Sequence, residues 1–144
     1  MLIGEYIHTI DDKKRISLPS KFRKELGKKV IVTRGLDGCL FLYSLAEWEK
    51  ISEKVSNMGM ANSESRGFSR FLLGSAAEVD VDGSGRILIP EHAKAFAGIT
   101  DKVVFAGVYA RIELWDERRW ARYKKTIDSQ AEKMAEKLGD VGIF

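Results

Sequence analysis

Apolar and polar positions alternate with a period of two over residues 5–10, EYIHTI, and again over 77–81, AEVDV. That period sends successive side chains to opposite faces of an extended chain, so each stretch predicts a half-buried strand. A polar turn follows in both places, DDKK at 11–14 and DGSG at 82–85. Alternation then resumes in RISLP (15–19) and RILIP (86–90). Proline closes each second strand because it has no N–H to give a ladder, and its fixed φ suits the first turn of a helix. Short helices are expected over 20–26, SKFRKEL, and 91–97, EHAKAFA. Each stops at a glycine, Gly27 or Gly98, that accepts a left-handed cap. Apolar, β-branched runs come next: KVIVTRG (29–35) with CLFLY (39–43), and KVVFAG (102–107) with IELW (112–115).

The two series are one pattern written twice. A shift of 71 residues lays Asp11 on Asp82, Arg15 on Arg86, Ile16 on Ile87, Pro19 on Pro90 and Gly27 on Gly98, and the chain has only two prolines. After a one-residue adjustment in a loop, Trp48 falls on Trp120. An internal duplication explains these coincidences. Each unit reads strand, turn, strand, short helix, strand, strand, and a longer helix follows each. Residues 44–58 open with Ser44 and Glu47 at capping-box spacing and carry a stripe of Trp48, Ile51, Val55 and Met58. The second long helix begins at Asp116 with Trp120, Tyr123, Ile127, Ala131, Met134 and Leu138 on one face. Between the units, 62–74 predicts a third helix capped by Ser63, and the final GDVGIF (139–144) is expected to fray. The expected organisation is a first copy at 5–47, connecting helices at 48–75, a second copy at 76–119, and a C-terminal helix and tail at 120–144.

Length and composition agree with one shared core. The chain has 144 residues, 44% of them hydrophobic and 31% charged, the balance of a soluble globular protein. A four-stranded unit with one short helix has little interior of its own. Two units closing one barrel would share a core, giving an α+β fold with a mainly β centre. The apolar helix stripes need cover as well, which predicts a homo-oligomer. No apolar run is long enough to span a bilayer, and the N-terminus lacks a basic leader, so no membrane partner is expected. Cys39 is the only cysteine. It reads as a buried small hydrophobe in a reducing cytoplasm.

Charge adds the first functional clue. The net charge of +3 is mild, but Lys13–Arg34 holds nine basic residues and one acid, a local +8, which leaves −5 for the rest. A basic segment on an acidic body is the footprint of a polyanion partner, or else a solvated face. The matching window of the second copy, 84–105, nets only +1. The first copy is therefore expected to face the ligand, with Arg15 mattering more than Arg86.

Three kinds of chemistry compete for the distinctive residues. Catalysis has little to build on: His8 and His92 are the two histidines, and neither has a nucleophile or acid at a suggestive spacing. No enzyme activity, cofactor or small-molecule substrate is expected. Calcium is suggested by Asp80, Asp82, Ser84, Gly85 and Glu91, which occupy positions 1, 3, 5, 6 and 12 of an EF-hand loop. Strands rather than helices flank that loop, so a glycine-rich hairpin turn accounts for it and no metal is expected. The third candidate is the first turn. Lys13, Lys14 and Arg15 at a hairpin tip can meet phosphates, and arginine can fork onto guanine in a major groove. Asp11, four residues before Arg15, can aim the guanidinium. Ordinary turn chemistry explains the same residues equally well.

The segments YIHTIDDKKRISLPSKFR (6–23), VTRGLDGCLFLYSLAEWE (32–49), GSAAEVDVDGSGRILIP (74–90) and IELWDERRW (112–120) resemble the MraZ family, bacterial transcriptional regulators of the division and cell wall gene cluster. The resemblance covers nearly the whole chain. It implies two AbrB-like swapped-hairpin modules pairing into a double-psi-type barrel. It further implies a ring-shaped homo-oligomer that binds double-stranded DNA at promoter direct repeats of its own operon, in the cytoplasm and nucleoid. The family's Asp-x-x-x-Arg signature falls on Asp11 and Arg15 and recurs at Asp82 and Arg86, which makes these DNA-binding candidates beside Lys13 and Lys14. Many family members have glycine where Lys14 stands, a place whose positive φ lysine resists. The alternatives are an oligomeric interaction scaffold that touches no nucleic acid, and an antitoxin-like regulator of the AbrB class.

Overall fold

The computed structural model describes residues 1–142. Its first half contains β1 (Leu2–Thr9), β2 (Arg15–Ser17), α1 (Ser20–Leu26), β3 (Lys29–Arg34), β4 (Leu40–Ser44), α2 (Leu45–Ser56) and α3 (Ser63–Leu72). The second half repeats the order with β5 (Ala77–Asp80), β6 (Arg86–Leu88), α4 (Glu91–Ala97), β7 (Lys102–Tyr109), β8 (Ile112–Asp116) and α5 (Glu117–Asp140). The strands expected from alternation all form. β1 starts three residues earlier than its sequence pattern, because it runs beside β7 for eight registered pairs, from Leu2 opposite Tyr109 to Thr9 opposite Lys102.

The halves are joined by exchange. The first strand of each half pairs with the third strand of the other: β1 with β7, and β5 with β3. The two remaining inter-half pairings, β4 with β8 and β2 with β6, join equivalent strands across the same approximate two-fold. The outcome is an antiparallel six-stranded sheet, β1-β7-β8-β4-β3-β5, and a separate two-stranded sheet, β2-β6. Here the structure departs from a closed barrel, since the two ladders do not join. Pro19 and Pro90 supply the reason: each ends its strand's donors, leaving β2 and β6 three residues long.

One core lies between the sheets. Ile16, Leu18, Phe22, Val30, Val32, Leu40 and Leu42 from the first half meet Ile87, Ile89, Val103, Phe105, Ile112 and Leu114 from the second. The sharing expected of two small units is therefore visible in the contacts. A second cluster covers the other face of the large sheet, where Phe41, Tyr43, Val104 and Trp115 meet Trp48, Ile51, Val55 and Met58 of the α2 region. Only the start of the α5 stripe joins it, with Trp115 stacked on Tyr123 at 5.0 Å. Farther along α5, Ala131, Met134 and Leu138 are exposed. Cys39 is fully buried, and burial pushes its thiol pKa up, away from reactivity.

Helix ends agree with the sequence in most places. The Ser44 hydroxyl accepts from the Glu47 N–H at 3.2 Å, and the Asp116 carboxylate caps α5. The cap of α3 is Asn62 rather than Ser63: Asn62 is extended, and its side chain accepts from Glu64 and Ser65. Gly98 adopts the left-handed cap, whereas Gly27 has positive φ with ψ −153°, because β3 begins two residues later. α5 continues through Asp140, so Gly139 and Asp140 of the expected frayed tail are helical; Ile143 and Phe144 lie outside the described residues.

Candidate nucleic-acid interface

The first turn is built around one carboxylate. Asp11 Oδ1 accepts from the backbone N–H of Lys13 at 2.9 Å and of Arg15 at 2.8 Å, while Oδ2 accepts from Arg15 Nε at 3.3 Å. The Asp11 N–H and the Arg15 carbonyl close the hairpin at 2.8 Å. Aspartate is suited to this place because its short side chain reaches backbone groups two and four residues ahead. These bonds, led by the N–H of Arg15, hold the Asp11 pKa below the usual carboxylate value.

The second turn reproduces the first. Asp82 Oδ1 accepts from the N–H groups of Ser84 and Arg86, each at 2.9 Å, and Oδ2 accepts from Arg86 Nε at 3.0 Å. The Arg86 N–H likewise leads the causes that lower the Asp82 pKa. Lys14 has φ +64°, and Gly85, its counterpart, has φ +78°. Lysine in the glycine place thus leaves the turn type unchanged and carries the backbone strain instead. The Asp-x-x-x-Arg spacing is the signature of this turn in both halves, whatever else the arginines do.

Each arginine is aimed but not consumed. Nε of Arg15 is taken by Asp11, and among the described residues its two terminal amino groups have no hydrogen-bond partner. The side chain is 28% exposed. Lys13 stands at the exposed tip and pairs with no carboxylate among the described residues. Lys14 lies 3.9 Å from Glu91 of α4, a solvent-exposed pair of little energetic weight.

Strand exchange rearranges the charge that the sequence presents as one block. β2 and β6 run antiparallel, with Arg15 opposite Leu88 and Arg86 opposite Ser17, so the two turns lie at opposite ends of this small sheet. Both arginines also line one groove of about 460 Å³, whose walls carry Glu78, Asp80 and Asp82. Lys29 reaches Glu78 at 3.3 Å and Asp80 at 3.7 Å. With those acids in it, the groove is a poor phosphate site; the exposed cations outside its lining are Lys13 and Lys14 of the first turn. The first turn abuts α4 of the second half, through Lys14 and Glu91. The second turn abuts α1 of the first half: a Cβ on Gly85 would sit 2.4 Å from Arg23 Nε. The basic residues that the sequence presents as one block are therefore dispersed: Lys13, Lys14 and Arg15 belong to the first turn, Arg23 lies against the second, and Arg34 donates to the Phe71 carbonyl at 3.1 Å. Neither Arg23 nor Glu91, the latter weighed only as position 12 of the calcium-like loop, stood among the nucleic-acid candidates, because adjacency across the exchange leaves no trace in local spacing.

The other candidate chemistries find different surroundings. His8 Nδ1 lies 2.5 Å from the Ser17 carbonyl and His92 Nε2 lies 3.3 Å from the Ser75 carbonyl, so each imidazole bonds backbone rather than a nucleophile. The calcium-like stretch runs from the last residue of β5 through β6 to the first residue of α4, with Asp82 used by the turn and Asp80 beside Lys29. Among the described residues no group of three His, Cys, Asp or Glu side chains is placed to hold a metal.

Comparison with known proteins adds the family. The sequence model described as "MraZ protein, putative antitoxin-like" matches twice, over residues 1–71 and 72–141. The chain is 47% identical over 143 residues to the transcriptional regulator MraZ of Caldanaerobacter subterraneus subsp. tengcongensis, covering 99% of this chain and all of that protein. It is 46% identical to the protein of that name from Caldicellulosiruptor saccharolyticus and 43% identical to that of Clostridium acetobutylicum, with the same coverage. A pattern matched once in each half, and relatives similar from end to end, place the chain in the MraZ family.

Proposed function

We propose that this protein is a sequence-specific, DNA-binding regulator of transcription that grips promoter direct repeats through the hairpin at residues 11–15. The observation that carries the reading is the Asp11-braced Arg15, fixed at Nε and open at both terminal amino groups beside the exposed Lys13. A planar guanidinium held this way can fork onto a guanine edge, and the lysines can neutralise phosphates. The relatives' name, transcriptional regulator, supports the same assignment. The gene set would be the division and cell wall cluster, the compartment the cytoplasm and nucleoid, and Asp82 with Arg86 a second contact of the same kind.

The assembly belongs to this reading. The exchange of strands between halves supports an AbrB-like swapped-hairpin architecture, and the exposed apolar run Ala131, Met134 and Leu138 on α5 supports a homo-oligomer, ring-shaped in this proposal. A ring repeats a modest contact along repeated DNA boxes, so each added contact is effectively intramolecular. Footprinting the purified protein on DNA upstream of its own gene tests the proposal. Protection of short repeats at regular spacing is the expected result, and uniform digestion at saturating protein would refute it.

A further inference from the structure

The lysines of α1 share a short helix with Arg23, which reaches the second turn. Arg23 closes the gap: its Nε donates to the Leu18 carbonyl at 2.9 Å, and its guanidinium lies against Gly85, where any Cβ would collide with it. The N–H of Leu18 also donates to the Gly85 carbonyl at 2.9 Å. Arg23 and Leu18 thereby hold the start of α1 against the second turn. Phe22 and Leu26 are the buried side of α1, so its outward side carries Lys21 and Lys24, one helical turn apart and both exposed. Neither pairs with a carboxylate among the described residues.

The opposite end lacks this feature. There the first turn brings its own Lys13 and Lys14, but the helix beside it presents Glu91, His92 and Ala95 where α1 presents Ser20, Lys21 and Lys24. Glu91 also draws Lys14 and Lys94, at 3.9 and 3.4 Å. The second turn has Arg86 as its single cation and borrows the rest from α1. One basic stretch of sequence, divided by strand exchange, thus makes both ends of the β2-β6 sheet cationic.

We infer that Lys21 and Lys24 of α1, with Arg86 of the second turn, form a second phosphate-binding surface for duplex DNA, held together by Arg23 against Gly85. This rests on the DNA-binding reading above and extends its second contact from the hairpin onto α1.

The test is a fluorescence-anisotropy titration of the full chain on its footprinted duplex across a range of salt concentrations. It compares wild type, K21Q/K24Q, and a control of equal charge change on the exposed side of α2, K50Q/K54Q. Each lost phosphate contact lowers the steepness of log K against log salt by about 0.9, so K21Q/K24Q should flatten it by about two per engaged subunit. Its affinity near physiological salt should fall about tenfold, with the control unchanged. Wild-type binding with K21Q/K24Q unaltered, or with both pairs altered equally, overturns this inference and leaves the hairpin reading standing. Wild type without measurable duplex affinity overturns both.

Discussion

Lys14 holds a left-handed conformation, φ +64°, in a turn whose duplicate uses Gly85 at φ +78°. A residue with a Cβ pays about 1–2 kcal/mol for that region, and glycine does not. Lys14→Gly removes this strain but gives back about 0.5–1 kcal/mol in the greater chain freedom of glycine when unfolded. The ammonium's exposed contact with Glu91, at 3.9 Å, contributes little either way. The net expectation is a gain of about 0.5–1 kcal/mol, which for a chain of this length raises Tm by about 2–3 °C. Lys14→Ala is the matched control, since it deletes the same charge and keeps the Cβ; its Tm should stay within about 1 °C of wild type. Both variants are melted by calorimetry at one fixed protein concentration, because assembly couples Tm to concentration. Equal Tm values for the glycine and alanine variants would refute the assignment of strain to this backbone. The glycine variant should bind duplex DNA more weakly despite being more stable, the separation expected where a functional charge sits on a strained turn.

Two further outcomes follow from the same geometry. Asp11 and Asp82 have lowered pKa values, so their contribution is full above their ordinary range, near pH 4, and is lost as pH falls through the folded values. D11N/D82N should be less stable than wild type at pH 6 in urea, with the gap closing toward pH 2.5; a gap constant with pH would contradict this. Phe105 is fully buried between the halves, so Phe105→Ala should cost about 3–5 kcal/mol in urea unfolding, and a loss below about 1.5 kcal/mol would mean the shared core is misassigned.

The local structure was largely legible from the chain. Period-two alternation located the strands, Pro19 and Pro90 marked where the second strands stop, and the 71-residue shift announced two equivalent halves. Those signals are local, and each has a local physical cause. Pairing is different: nothing in EYIHTI says that its partner is KVVFAG rather than KVIVTRG, since both are β-branched and apolar. Swapped hairpins were expected only from the family resemblance, and the actual strand partners came with the fold. It changed the site in two ways. Arg23 became a neighbour of the second turn and Glu91 of the first, and the basic residues of the +8 window proved to be dispersed, with Lys29 beside Glu78 and Arg34 on the Phe71 carbonyl. The Asp11–Arg15 pairing was readable because it closes within five residues. The cap of α3 was misplaced by one residue because Asn62 and Ser63 are both good caps and only the backbone decides between them.

The central claim is that the braced arginine of the first turn reads duplex DNA, and binding of Arg15→Ala to the footprinted repeats tests it most directly. A bidentate arginine–guanine contact is worth about 1–3 kcal/mol, so affinity should fall between about fivefold and 150-fold, with the oligomer mass by light scattering unchanged. Wild-type affinity in an intact oligomer of Arg15→Ala would contradict the claim.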